Sequence, residues 1–181
     1  MAGSVRDEGE GPIIVGIAEA AMQLHVCAIE SLPQPDAKSF HARVDAVLAG
    51  LRKTQTMLEA AATRTRATPS VIAALGEVRG RYDDLMTRAA AAPGSSLGQQ
   101  LYVARRRAQL SIQEIATAVG LRADLLDALE AGQATTENEA VKVKELIAAL
   151  QGSREAEAGP YAAQETPEGF DESAAWSESS S

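Results

Sequence analysis

The side chains best suited to holding a metal or attacking a substrate are few: two histidines and a single cysteine. His25 and Cys27 lie two residues apart, so on a helix they point to different faces and do not chelate one ion. His41 stands alone beside Phe40. The stretch "GPIIVG" lacks the following Lys and Ser/Thr of a phosphate-binding loop, and the pair Asp83–Asp84 reads as a solvated helix face. These residues predict no metal site, no cofactor, no small-molecule substrate and no enzyme. Aromatic residues make up only 3%, too few for stacking platforms that bind RNA or single strands.

What remains is charge chemistry. "ARRRAQLS" carries Arg105, Arg106 and Arg107, a set able to hold phosphates, whereas "LRADLLDALEAGQ" carries Asp124 and Asp127 and no Lys. The net charge is −8. Residues 152–181 hold seven acids against Arg154, while residues 13–93 have nine Lys/Arg against eight Asp/Glu and residues 94–151 six against seven. The acidity therefore belongs to the tail, and no segment shows the clear basic excess of a dedicated nucleic-acid binder.

The elements that must position these groups are helices. Apolar residues reach 45% and alanine is abundant, a mixture that favours helices packed on helices over strands. A single cysteine excludes an internal disulfide and suits a reducing cytoplasm. The apolar run after "RDEGEG" follows acids where a secretion signal is basic, and Glu19, Gln23, His25 and Glu30 interrupt it. It therefore reads as an amphipathic helix, neither signal nor membrane span, and the chain is expected in the cytoplasm.

Residues 1–12 are polar and glycine-rich and are expected to be disordered. Residues 13–93 predict a three-helix module. Its first helix runs over about 13–31, with Ile13, Ile17, Ala20, Ala21, Leu24, Ala28 and Ile29 at helical spacing. The second spans about 37–64, with Phe40, Val44, Val47, Leu51, Leu58 and Ala61 close to a heptad repeat. Thr68 as N-cap and Pro69 at the first helical position start the third, whose face is Ile72, Leu75, Val78, Tyr82, Leu85 and Ala89. Near-heptad seams can continue across chains as a coiled coil, so self-association as a homodimer is expected. Residues 94–151 form a second domain, and residues 152–181, rich in Gly, Pro, Ser and Glu, an acidic disordered tail. Within that tail, Phe170 and Trp176 could serve as a short docking motif.

In the second domain, Ser111 and Glu114 make a capping box, and Ala116 and Gly120 in "ATAVG" suit a tight helix-turn-helix. Leu101, Ala104, Leu110, Ile115, Val119, Leu126, Leu129, Val143 and Leu146 supply one core. The segment from Leu97 to Leu150 resembles the lambda-repressor-like, Cro/CI-type (XRE) helix-turn-helix family. That resemblance implies a partly buried salt bridge between Arg105 and Glu130. It also implies a recognition-helix face of Arg122, Ala123, Asp124, Leu125, Asp127 and Ala128, contacting double-stranded DNA or a partner. Arg106, Arg107, Thr135, Thr136 and Asn138 fall where phosphate contacts are expected.

The departures from the family pattern are chemical. Ala and Leu can only touch a thymine methyl, and aspartate is repelled by nearby phosphates. The glutamine that often starts the preceding helix is Ile112, and the following loop, "QATTENEA", has no basic residue. The stretch "LSIQEIATAVGLRADLLDALEAG" is also similar to the helix-turn-helix of RodZ-like proteins, which bind a cytoskeletal partner. Fold class is therefore all-α, a helical bundle or hairpin followed by the helix-turn-helix domain and the tail. The functional expectation is a dimeric DNA-binding transcription regulator. The alternative is an adaptor that keeps the fold and presents the outer face of the recognition helix, Leu125 included, to a protein.

Overall fold

The structure, a computed structural model, describes residues 7–64 and 68–158. Among the described residues it is all-helical, with seven helices and no strand. They are α1 (Asp7–Glu30), α2 (Phe40–Arg64), α3 (Pro69–Ala91), α4 (Leu97–Arg107), α5 (Ile112–Val119), α6 (Ala123–Glu130) and α7 (Glu137–Ala158).

Helices α1, α2 and α3 run up, down and up around one apolar cluster that includes Phe40, Leu51, Val78 and Met86. All six residues of the heptad-like face of α2 are buried, from Phe40 to Ala61. Thr68 caps α3 as expected: its side chain accepts from the Val71 amide, with proline in the first turn. Two expected faces are corrected. On α3 the inward residue at the start is Val71, fully buried, while Ile72 is 59% exposed. On α1 the inward residues are Val15, Ala18 and Met22, and Ile13, Ile17 and Leu24 point outward. An almost uninterrupted apolar run has no polar face to fix its rotation, so packing against α2 and α3 chooses.

The ends of the predicted segments shift as well. Helix α1 starts at Asp7, inside the stretch expected to be disordered. Helix α2 begins at Phe40 rather than 37, after a turn closed by the Phe40 amide on the Ala37 carbonyl, 2.9 Å. Helix α7 runs on to Ala158, so residues 152–158 are helix and not tail. Alanine, arginine and glutamate are good helix formers and extend a helix already nucleated by packing. The rest of the expected tail, with Phe170 and Trp176, lies outside the described residues.

The second cluster, Leu101, Ile115, Leu126, Val143 and neighbours, is built by α4–α7. Leu110 and Val119 of the expected core pack at its edge, half-buried. A short linker joins the two clusters, held by His41, whose Nε2 lies 2.8 Å from the Pro93 carbonyl. The His41 ring also meets Phe40 edge-on at 5.2 Å. Helix α4 then lies between the clusters, touching α3 on one side and α6 and α7 on the other. Its start is fixed by a capping box. The Ser96 hydroxyl accepts from the Gln99 amide, and the Gln99 side chain accepts from the Ser96 amide.

Gly98 in the first turn of α4 is a point of close approach. A β-carbon there would sit 2.0 Å from the Leu129 carbonyl oxygen, so any side chain would push α4 away from the end of α6.

Candidate functional site

Helices α5 and α6 are joined by Gly120–Arg122. Ser111 and Glu114 close both halves of their capping box at the start of α5. The Ser111 hydroxyl and amide hold the exposed Glu114 carboxyl below its ordinary range. Gly120 ends α5 in the left-handed region, φ 64°, which glycine adopts without a β-carbon clash. Its amide and that of Leu121 both return to the Ala116 carbonyl, a Schellman-type closure. Ala116 is buried at this turn. Both signature residues thus do the work their types suggest.

The end of α6 is held from three directions. Arg105 Nε and Nη2 donate to the two Glu130 carboxylate oxygens at 2.9 and 2.8 Å, and Nη1 donates to the Leu110 carbonyl at 3.2 Å. The two side chains are 11% and 8% exposed, so this is a buried, forked ion pair. Burial pushes the Glu130 carboxyl up, and Arg105 pulls against it. Burial equally opposes the Arg105 cation, but the Glu130 hydrogen bonds and charge overcome it and leave Arg105 held above its ordinary value. From the bundle, Arg52 Nη1 and Nη2 donate to the Glu130 and Ala131 carbonyls at 3.4 and 2.9 Å. A cation on these last carbonyls complements the negative end of the helix dipole. Underneath, the Arg105 guanidinium lies 5.2 Å from the centre of the Tyr102 ring, which meets Tyr82 edge-on at 5.5 Å.

Three of the five expected phosphate contacts, Arg106, Thr135 and Thr136, are otherwise engaged. Arg106 pairs with Asp83 of α3, which also accepts from the Tyr102 hydroxyl. Burial, then Asp83, push the Tyr102 phenol well above its ordinary range. The hydroxyls of Thr135 and Thr136 donate to Glu139 Oε2 at 2.8 and 2.6 Å, as does the Thr136 amide at 3.0 Å. The Glu139 amide closes a capping box on the Thr136 hydroxyl at 3.4 Å. A carboxylate thus fills the start of α7, the place where a phosphate would be drawn by the amides and the helix dipole. The same hydrogen bonds hold Glu139 below its ordinary range. Arg107 and Asn138 are exposed.

On α6 itself, Arg122, Asp124 and Asp127 are exposed. Arg122 occupies the N-cap position with no side-chain cap bond and pairs loosely with Asp124 at 3.6 Å, both more than 70% exposed. Ala123 and Leu125 pack against the second cluster and are only half-exposed, as is Ala128. Leu125 is therefore corrected from a free anchor to a residue at the edge of the core. The outward face is an acidic rim, and no large apolar side chain stands free on it.

Sequence reasoning missed the structural roles of Arg52, Asp83, Tyr102 and Gly98. No local signal marks the first: Arg52 lies 78 residues from Glu130. Asp83 is half-buried against α4 rather than solvated. The boxes at Ser96 and Thr136 were legible, since both fit the Ser/Thr-x-x-Glu/Gln pattern. Among the described residues no group of three or more His, Cys, Asp or Glu could hold a metal ion.

A family model described as the MSMEG_6518_N N-terminal domain matches residues 25–96. The match starts within α1 and ends on Ser96, the N-cap of α4, so it covers most of the bundle and stops where the second cluster begins. An uncharacterized protein of Mycolicibacterium smegmatis (strain ATCC 700084 / mc(2)155) is 53% identical over 129 residues, 71% of this chain and 100% of that protein. No solved structure matches the chain. With identity at that level over the whole of its relative, the chain belongs to the family of this Mycolicibacterium smegmatis protein.

Proposed function

We propose that this protein is a cytoplasmic, non-enzymatic adaptor. It uses a lambda-repressor-like, Cro/CI-type helix-turn-helix fold to dock a protein through the acidic outer rim of α6. The observation that carries the reading is Glu139, whose carboxylate takes the Thr135 and Thr136 hydroxyls and the Thr136 amide, donors that a DNA phosphate would compete for. Arg106, held by Asp83, supports it, as do Asp124 and Asp127 on the outward face. Affinity for DNA comes largely from cations that displace counterions, and here cations are few and partly engaged. The complementary partner is a segment bearing Lys or Arg, recognised by charge at the α6 rim.

A second reading, a dimeric DNA-binding transcription regulator, is favoured by the frame itself: the Gly120 turn and the buried Arg105–Glu130 pair. Its contacts would come from Arg107 and Arg122, both exposed.

One comparison separates the two. The purified chain is offered a random duplex library at low salt, where electrostatic binding is strongest. In parallel, it is used to capture partners from its native cytosol. The adaptor reading expects no enriched duplex and a captured protein lost on Asp124→Lys with Asp127→Lys. Discrete duplex sites that disappear on Arg107→Glu and Arg122→Glu overturn it in favour of the regulator.

A further inference from the structure

The outward side of α1 carries Ile13, Ile17, Ala20, Leu24 and Cys27, all exposed. Their spacings are four, three, four and three, the a/d repeat of a helix seam. The three large members are 62%, 53% and 72% exposed. At about 100° per residue this row lies opposite Val15, Ala18 and Met22, which face the bundle. A helix that has already buried one side therefore presents a second, uncharged apolar side to solvent.

We infer that this seam pairs with the same seam of a second copy, antiparallel, across a two-fold axis passing near Ala20. The row is self-complementary about that point. Ile17 meets the partner's Leu24, Ile13 meets the partner's Cys27, and the small Ala20 lets the two helices approach where they cross. A two-fold pairing of one patch with itself closes on a dimer and leaves nothing to propagate. Antiparallel order also sets the helix dipoles head to tail.

A lipid surface suits the seam less well. Residues 13–30 are long and apolar enough to cross a membrane, with mean hydropathy 1.5. They contain Glu19 and Glu30 and no Lys or Arg to attract anionic headgroups. The same helix also gives Ala18 and Met22 to the bundle core. The size of the seam sets the strength of pairing. Its fourteen residue steps span about 21 Å, on a helix about 10 Å across. Two such faces with their flanks bury under about 1,200 Å², the class of weak, reversible associations. The dimer is therefore concentration-dependent, and it is independent of whatever α6 binds.

The test is the mass of the full chain in solution over a range of concentrations. The native chain should pass from monomer to dimer as concentration rises. Ile17→Glu and Leu24→Glu should each hold it monomeric with an unchanged helical circular dichroism spectrum, since both side chains point outward. A native chain that stays monomeric at millimolar concentration overturns the inference, as does a dimer untouched by both substitutions. Orientation is read by oxidation. Ala20→Cys in a Cys27→Ser background should cross-link readily, while native Cys27, about 20 Å from its counterpart in the antiparallel pair, should not. Ready cross-linking through native Cys27 means parallel pairing and overturns the antiparallel arrangement. Flotation with phosphatidylcholine vesicles, with and without phosphatidylglycerol, supplies the remaining arm. No binding is expected; capture of the chain that is lost on Leu24→Glu assigns the seam to lipid and overturns the dimer.

Discussion

Helices α1–α3 and α4–α7 each enclose one apolar cluster, but they hold their helices in place by different means. The bundle uses long helices of 23 to 25 residues and wide apolar stripes, with a few polar ties such as His25 Nε2 to the Thr54 hydroxyl at 3.2 Å. The second unit has helices as short as eight residues, too short to be stable alone. It compensates with side-chain boxes at Ser96, Ser111 and Thr136, a left-handed glycine and one buried ion pair. In the first unit burial sets the positions and tolerates variation at any one contact. In the second, a few directional contacts set them, and each has no substitute. The acidic rim of α6 is held by the unit of the second kind, and the outward seam of α1 by the unit of the first.

The sharpest way to break this contrast is the buried pair. Arg105→Met strands the Glu130 carboxylate in the core and should lower stability by about 3–5 kcal/mol, read from the denaturant midpoint. Arg105→Met with Glu130→Leu should recover most of that loss, because removing both charges also removes their desolvation cost. If the single change is as mild as a surface substitution, the ion pair does not hold α6.

A smaller effect compares glycines in the two units. Gly98→Ala forces α4 from the Leu129 carbonyl and should cost about 1–3 kcal/mol. Gly76→Ala and Gly80→Ala on α3 meet open space and should each gain about 1 kcal/mol from helix propensity. Equal effects at the three sites, in calorimetry or chemical unfolding, would erase the distinction between a close approach and a free surface.

The smallest effect belongs to the bundle and to pH. Burial lowers the pKa of His25, so its neutral form is the folded one. As pH falls below the unperturbed value of about 6.5, the unfolded chain takes up the proton first and stability declines. The decline levels off below the depressed folded pKa. His25→Gln should remove this decline, so the unfolding midpoint of the variant falls less between pH 7 and 5 than that of the native chain. Glu130, whose carboxyl burial pushes up, acts in the opposite sense in both. Identical pH profiles for the native chain and the variant would contradict the assignment.

How much was legible from sequence follows the same division. Thr68, Ser111 with Glu114, and Gly120 act within a few residues of themselves, so their roles could be read locally, and so they appear in the structure. The Arg105–Glu130 pair was reachable only through the family resemblance, since 25 residues separate the two. The faces of α1 and the start of α3 were misjudged because Ile13, Ile17 and Ile72 look as buriable as Val15, Ala18 and Val71. Hydrophobicity says that a residue gains from burial; it does not say which of two apolar sides will find a partner.

By itself, the sequence determined an all-α chain, the heptad-like face of α2, the turn at Gly120 and the acidic character of α6. Each is a property of residue types at short spacing, where backbone geometry leaves little choice. Only the tertiary structure decided that Arg52 would reach the α6 carbonyls, that Asp83 would take Arg106, and that α1 would turn its isoleucines outward. Those outcomes depend on which helices meet and at what rotation. That choice is made by the burial of all seven helices together, and no single segment carries it.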